Sequence, residues 1–369
     1  MLFGGGRKTS DGPIGVDVGD HTIRMIQLTR ETDKPVALAA ASRPLGRDIN
    51  SESGERYHHA VADAIRDMLS TGQFRGHQVV SSLPAASLIY KNIRLPKMPY
   101  DELAGAVEWE ASERLKFSGD AMNIQFFDAG EVLQGQDKRQ EVILLAASKR
   151  FIDEHIQSLQ SCDVELCAID AVPSALARCI EHAYPVEEDN APVRVVIDVG
   201  YNGTKVLIIR GSRICFFKLI EIGGRHMDEA LASKLELPAS AAAEARRDWM
   251  SGGSHGQSDA RIAAVMGPVV EELSREIGLC LRYYSVTFRG RRPEDAWVVG
   301  GESGNAWLWA RLCEDVGLKP TGSDPLASFD LTPVRSDIGG PDQWAGWGVA
   351  VGLALRQTDA KKLKSRGAA

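Results

Sequence analysis

The sequence lacks the features that define several common classes of protein. None of its six cysteines forms a C-x-x-C pair, which argues against a zinc site or a redox dithiol and favours free, buried thiols. The formal net charge of −7 argues against a general binder of nucleic-acid backbones. Neither the P-loop pattern nor the G-x-G-x-x-G pattern of dinucleotide-binding folds occurs, so neither kind of nucleotide site is predicted.

The sequence also lacks an apolar run long enough to cross a bilayer. The uncharged segment 344–355, WAGWGVAVGLAL, has only 12 residues, whereas a membrane helix needs about 20. The opening MLFGGGRKTSDG does not have the pattern of a secretory signal, and we expect a flexible arm over residues 1–13. A flexible basic tail is expected over 357–369. We therefore predict a cytoplasmic protein that reaches a membrane only through a partner.

The composition is that of an ordinary globular protein. Apolar residues make up 44% of the chain and charged residues 25%. A chain of 369 residues is longer than a single core usually supports, so two lobes are expected.

Residues 15–28, GVDVGDHTIRMIQL, read as two strands joined by a tight turn that contains Gly19. A buried-looking strand here carries one acid, Asp17. The same arrangement returns in 197–210, IDVGYNGTKVLIIR, where Asp198 and Gly200 take the equivalent places. Two acid–glycine hairpins so far apart predict two lobes built on one plan.

These hairpins have the chemistry of a phosphate site. A glycine turn lets backbone N–H groups approach a phosphate without a Cβ in the way. A neighbouring carboxylate can hold hydrated Mg²⁺, which uses few protein ligands. A strand end followed by a turn is the simpler interpretation of either copy alone, but the repetition favours a phosphate clamp.

Three further segments complete the pattern: 298–304, VVGGESG, and the helices at 168–179 and 344–355. These segments and the two hairpins resemble the five motifs of the actin-like ATPase superfamily, and they follow one another in the same order as in that family. That resemblance implies a two-lobed α/β, ribonuclease H-like ATPase fold that binds ATP and Mg²⁺. Residues 84–165 are similar to the 1C subdomain inserted in FtsA and PilM, and the chain is identified as a PilM-like type IV pilus assembly protein (competence protein A type). The implied subdomains are 1A (14–83, 166–190), 1C (84–165), 2A (191–222, 297–356) and 2B (223–296).

The resemblance assigns roles in the first motif. Asp17 would contact Mg²⁺ through water, and the turn after it would face the β- and γ-phosphates. The assigned phosphate-side residues are Gly19, Asp20, His21, Thr22 and Arg24. For Arg24, a phosphate contact and a charged strand end remain equally open.

In the second lobe, Asp198 would be the other Mg²⁺-side carboxylate. The opposing phosphate loop would comprise Gly200, Asn202, Gly203 and Thr204. The adenosine side is assigned to Glu244 on the ribose, Arg247 beside the adenine, and Gly300, Gly301 and Gly304 against the adenine. A surface ion pair is the alternative for Glu244 and Arg247. Asp170 is either a general base for hydrolysis or a cap of the following helix.

The resemblance implies that the protein recruits the cytoplasmic N-terminal tail of a PilN-like bitopic membrane protein, bound in a groove beside 1C. Contacts with pilus motor ATPases and self-association are further implied partners. The alternatives are a small-molecule kinase of the sugar-kinase type or a division ATPase like FtsA. A kinase would need a hydroxyl-binding pocket, and FtsA usually ends in an amphipathic helix for which KKLKSRGAA is too short.

Overall fold

The computed structural model describes residues 11–29, 35–46, 54–114, 121–185, 192–251, 257–289, 292–304, 306–322, 324–335 and 337–356. Residues 1–10 of the expected arm and the expected tail 357–369 lie outside the described residues, whereas strand β1 already begins at Asp11.

The strands are β1 (Asp11–Val18), β2 (Thr22–Thr29), β3 (Ala37–Pro44), β4 (Gln78–Ser82), β5 (Leu88–Pro96), β6 (Met122–Gln134), β7 (Asp137–Ser148), β8 (Glu165–Asp170), β9 (Val193–Val199), β10 (Thr204–Arg210), β11 (Arg213–Ile220), β12 (Asp295–Val299) and β13 (Lys319–Gly322). The helices are α1 (Glu55–Thr71), α2 (Tyr100–Arg114), α3 (Lys149–Gln160), α4 (Val172–Ala183), α5 (Gly224–Leu235), α6 (Ala239–Met250), α7 (Gln257–Phe288), α8 (Ala306–Val316), α9 (Pro341–Trp344) and α10 (Gly348–Ala354).

Two five-stranded sheets share one topology. The first has the order β3-β2-β1-β4-β8 and the second β11-β10-β9-β12-β13. In each sheet the first three strands along the chain form an antiparallel meander, the fourth pairs parallel with the first, and the fifth pairs parallel with the fourth. The predicted repeat of a hairpin therefore belongs to a repeat of the whole sheet, which confirms two lobes of one plan.

Each lobe has its own core. In the first, α1 packs its apolar face on β1, β2 and β4, with Tyr57, Val61 and Ile65 fully buried. In the second, α5, α7 and α8 cover one face of the sheet around Val270, Leu273 and other buried residues. The six cysteines are free, as predicted, and all except Cys167 are buried.

Helices α4 and α10 pack on each other and join the lobes. Their side chains Leu176, Val349 and Leu353 lie in one cluster with residues of both sheets, such as Val80 and Phe217. The two helices cross closely because Gly352 meets the backbone of Ala175, where no side chain would fit. This cluster fixes how the two sheets face each other.

A third sheet lies between β4 and β8 in the chain, within the predicted insertion. Its order is β5-β7-β6, and α2 covers one face through Leu103, Val107 and Ala111. Strands β5 and β6 also contact β11 of the second lobe, where the ring of Tyr90 meets that of Phe217 at 4.5 Å. Helix α3 packs on α1 of the first lobe.

The expected single helix at 344–356 is interrupted. Residues 345–347 form a 3₁₀ turn between α9 and α10. The carbonyl of Ala345 there accepts a hydrogen bond from Gly300 N at 2.8 Å, so it bonds to the second lobe instead of to a helix.

The glycine crossing gives a test of the interlobe packing. Gly352→Ala would push a methyl group into the carbonyl of Ala175, and we expect it to destabilise the fold by about 1–3 kcal/mol through overpacking. The matched control is Gly278→Ala within α7, where the new methyl has open space and should stabilise by about 0.5–1 kcal/mol. Thermal unfolding measures both, and an unchanged melting temperature for Gly352→Ala would contradict the packing.

Candidate functional site

A cleft of about 770 Å³ opens between the lobes, and both acid–glycine hairpins line it. That volume lies in the range of about 300–1,000 Å³ in which small-molecule and cofactor sites fall. The predicted residues that line it are Asp17, Gly19, Asp20, His21, Thr22, Arg24, Asp198, Gly200, Arg247, Gly300, Gly301 and Gly304.

Each hairpin sets a basic residue directly opposite its acid. Asp17 pairs in register with Arg24, and Asp198 with Lys205. Side chains opposite each other in an antiparallel pair lie on one face of the sheet, close enough to interact. In the second hairpin Lys205 Nζ lies 2.9 Å from Asp198 Oδ2. The repeated motif is therefore acid, glycine and base, and the base belongs to the site.

The carboxylates at the cleft floor are withdrawn from water. Asp17 is 8% exposed and Asp198 5%. Burial raises the pKa of Asp17 to about 7, although the positive charges of Arg24 and Lys205 act against it. Burial also raises the pKa of Asp20. Because removing a carboxylate from water disfavours its charged form, these acids are sites where an added cation would be strongly stabilised.

The hairpin tips meet across the cleft. The ring of His21 stacks on that of Tyr201, with centroids 4.5 Å apart. Behind the second tip, Gly200 N donates to Gly203 O at 3.0 Å, and the start of α5 donates back to the turn through Arg225 N to Tyr201 O at 2.8 Å. The turn is thus held in shape from behind while its open side faces the cleft.

The far half of the predicted second loop points away from the cleft. Thr204 is fully buried and its hydroxyl donates to Ile222 O at 2.7 Å, while Gly203 lies against the backbone of Ile220. Neither these two residues nor Asn202 lines the cleft. Strand pairing explains this, since β10 begins at Thr204 and its side chains alternate between the two faces.

Helix α6 presents one of its two predicted residues to the cleft, together with residues that were not predicted. Glu244 is exposed and does not line the cleft, whereas Arg247 does. Between them Arg246 is 1% exposed, and its Nε donates to Asp228 Oδ1 at 2.6 Å. Arg246 also pairs with Glu302. Although burial acts to lower the pKa of Arg246, Glu302 and Asp228 together raise it, so this arginine ties α5, α6 and the loop after β12 together.

The structure does not bring Asp170 into the cleft lining. Its Oδ1 accepts the backbone N–H of Ala171 at 2.8 Å. Its Oδ2 pairs with Arg178 at 2.9 Å and with Arg356 at 3.0 Å. These contacts hold the start of α4 and the end of the described chain together. Asp170 is not the expected cap of α4, because the capping position is Ala171 and no side chain caps the helix there.

The loop after β12 needs glycine at its first position. Gly300 has a φ of +105°, and a Cβ there would meet the Asp198 side chain and the Val199 backbone. The loop is closed by Glu302 N donating to Val199 O at 3.0 Å and by Ser303 Oγ donating to Gly300 O at 2.8 Å. This places the glycine loop directly against the second acid.

Several cleft residues escaped the sequence analysis, chiefly Lys205, Tyr201, Arg246, Asp248, Ser251 and Glu302. Only Lys205 had a visible signal, because D-V-G followed by four residues and then a base occurs in both hairpins. Arg246, Asp248 and Ser251 depend on how α6 docks onto the second sheet. Tyr201 and Glu302 lie within the segments 197–210 and 298–304, where only their neighbours were assigned roles.

The donor set fits a magnesium ion carried by a phosphate chain better than a metal held by protein alone. Within the part of the chain that the structure describes, no three His, Cys, Asp or Glu side chains are grouped so that they could hold a metal. Asp17 and Asp198 both face the cleft. Mg²⁺ commonly keeps several waters and takes only one or two carboxylates together with substrate phosphates.

A family model described as type IV pilus assembly protein PilM matches residues 15–358. The chain belongs to the PilM family. No curated protein matches the sequence. Family membership agrees with the resemblance drawn from the motifs, and it makes the chain a type IV pilus assembly protein.

Solved structures show the same fold. A PilM-PilN type IV pilus biogenesis complex matches with a TM-score of 0.77 at 24% identity, over 94% of this chain and 98% of that one. EutJ from Carboxydothermus hydrogenoformans matches with a TM-score of 0.55 at 15% identity, over 94% of this chain and 89% of that one. MreB 5 of Spiroplasma citri bound to AMPPNP matches with a TM-score of 0.54 at 11% identity, over 98% of this chain and 99% of that one. The predicted two-lobed actin-like fold is confirmed, and no described helix is long and apolar enough to span a membrane.

The buried acid of the first hairpin predicts a pH-dependent stability. The pKa of Asp17 is about 7 in the folded protein and near 3.8 when unfolded, so the folded state holds the extra proton and loses stability as pH rises between these values. The resulting loss in the free energy of unfolding reaches up to about 4 kcal/mol. Asp17→Asn cannot ionise and does not suffer this loss. Its melting temperature in EDTA, measured relative to that of the wild type, should therefore rise between pH 5 and pH 8. A difference that stays constant with pH would contradict the prediction.

Proposed function

We propose that this PilM-family protein binds Mg-ATP between its lobes and, in the cytoplasm, recruits the N-terminal tail of a PilN-like bitopic membrane protein to a type IV pilus platform. The observation that carries the nucleotide half is the meeting of two acid–glycine–base hairpins in one cleft. Asp17 and Asp198 would hold hydrated Mg²⁺, which would neutralise the phosphate tail.

The glycine loop after β12 and helix α6 close the other end of the cleft and would take the adenosine. Gly300, Gly301 and Gly304 line that end of the cleft and would lie against the adenine. Arg247 offers a flat cation that can stack on a base. A protein of the same fold that was solved bound to AMPPNP supports nucleotide binding by this fold. Asp170 is held by two arginines, so the proposal assigns it a structural role and makes no claim of fast hydrolysis.

The partner half rests on family membership and on a solved relative that is a PilM-PilN complex. An extended tail bound beside the inserted sheet would add main-chain hydrogen bonds and place its side chains in pockets. The insertion also exposes large aromatic residues on α2, Tyr100 at 70% and Trp109 at 64%, a residue type enriched at protein interfaces. This partner would keep the protein at the inner membrane, where motor ATPases and further copies of the chain are additional candidate contacts.

Calorimetry tests the nucleotide half. We expect the wild type to bind ATP with a requirement for Mg²⁺ and Asp17→Ala to weaken Mg-ATP at least about tenfold, because it removes a charged ligand of the cation. Asp67→Ala, at an exposed acid paired with Arg43, is the control and should bind like the wild type. Absence of Mg²⁺-dependent affinity in the wild type would refute this half.

A peptide pull-down tests the partner half. The bait is the N-terminal cytoplasmic peptide of a bitopic membrane protein encoded beside this chain, with a scrambled peptide of equal composition as control. We expect retention of the protein by the native peptide alone, with affinity that changes when Mg-ATP is present because lobe closure moves the cleft walls. No retention, together with phosphorylation of compounds in a sugar panel, would favour a small-molecule kinase instead.

A further inference from the structure

Lys205 occupies a position that an ordinary strand lysine does not. Its side chain is only 15% exposed, its ammonium is 2.9 Å from Asp198, and it lines the cleft. Burying a lysine is costly unless its charge is matched. Here Asp198 matches the charge of the buried lysine, at the end of the second sheet where the acid–glycine hairpin lines the cleft.

The ammonium lies near the acids of both hairpins. Although burial acts to lower the pKa of Lys205, the charges of Asp198, Asp20 and Asp17 together raise it. Among the described residues, the charged groups around the two turns include these three carboxylates, Glu302 near Arg24, and the cations Arg24 and Lys205. Lys205 therefore lies in the second lobe, but its ammonium interacts electrostatically with carboxylates of both hairpins.

Gly200 lies beside the ammonium of Lys205 in the cleft lining. A Cβ on Gly200 would lie 3.6 Å from Lys205 Nζ, in van der Waals contact, so a side chain longer than that of alanine at 200 would reach the ammonium. A lysine also swings a compact charge on a flexible stem, unlike the planar arginine fork. The ammonium thus pairs with Asp198 at the wall of a cleft that a ligand can enter.

Arg24 is the counterpart in the first lobe. Its guanidinium lies 3.1 Å from where a Cβ on Gly301 would stand, so it reaches the glycine loop of the second lobe. Lys205 takes the equivalent place in the repeated motif and faces the first hairpin. Two cations, one from each lobe, therefore flank the path between the hairpin tips.

We propose that Lys205 is a phosphate-binding residue, and that its ammonium exchanges Asp198 for a phosphate oxygen when a nucleotide enters the cleft. This inference rests on the proposed nucleotide function. A highly charged phosphate tail entering a floor with three carboxylates requires cations, and a charge-assisted hydrogen bond to phosphate is among the strong ones. The exchange would also release the Asp198 carboxylate from its lysine.

The test measures affinity against the number of phosphates. Calorimetry with ATP, ADP and AMP in Mg²⁺ compares the wild type with Lys205→Met, Lys205→Arg and the control Lys218→Met. Lys218 lies on the neighbouring strand of the same sheet and pairs with Glu276 at 3.0 Å. We expect Lys205→Met to weaken ATP binding about 10- to 100-fold and AMP binding much less. Lys205→Arg should recover part of the lost ATP affinity, and Lys218→Met should bind all three nucleotides like the wild type.

The outcomes separate this inference from the function beneath it. Equal weakening of ATP and AMP would indicate that Lys205 only supports the fold, and unchanged ATP affinity would exclude a phosphate contact; either overturns the inference while nucleotide binding stands. A wild type that binds no nucleotide overturns both. Should Lys205→Met fail to fold because Asp198 is left buried alone, Lys205→Met with Asp198→Asn, compared with Asp198→Asn in the same titrations, keeps the test decisive.

Discussion

The cleft depends on the cross-strand pairing of a buried acid with a base at the mouth of each hairpin. A carboxylate as buried as Asp17 or Asp198 would be costly alone. The antiparallel register places Arg24 and Lys205 opposite these acids and supplies the opposing charge. The two pairs preserve a strongly polar floor inside an otherwise apolar fold, and that floor is what a charged ligand would meet.

The same pairing explains why the two lobes must be held in a defined relation. Each lobe contributes half of the charged floor, and the packing of α4 and α10 between the sheets sets how the halves face each other. The near contact of Gly352 with Ala175 brings these helices close together. A small rotation at this crossing would change the separation of the hairpins. A ligand that changes this separation would therefore move the lobes relative to each other through the interlobe core.

The inserted sheet lies where such a change could be sensed. It leaves the first lobe between β4 and β8, yet β5 and β6 contact β11 of the second lobe. The buried Glu141 pairs with Arg94 within the insertion and accepts a hydrogen bond from the hydroxyl of Tyr283 on α7, so a charge-assisted hydrogen bond joins the insertion to α7. The insertion is therefore packed against both lobes, and a change in their relative position would move the surfaces on which it rests.

The sequence by itself determined the two-lobed α/β plan, the repeated hairpins and the insertion, because alternating apolar runs and glycine turns are local signals. It did not reveal β3, whose alanine-rich segment ALAAASRP has weak strand propensity and becomes a strand by pairing with β2. Tertiary structure alone decided which residues line the cleft. Arg246 lines it and Glu244 does not, because the docking of α6 turns one helix face toward the cleft. Thr204 points into the fold because side chains alternate along a strand. It also gave Asp170 two arginine partners that are distant in sequence or on the next helix, since ion pairs depend on the positions of whole elements, which no local pattern encodes.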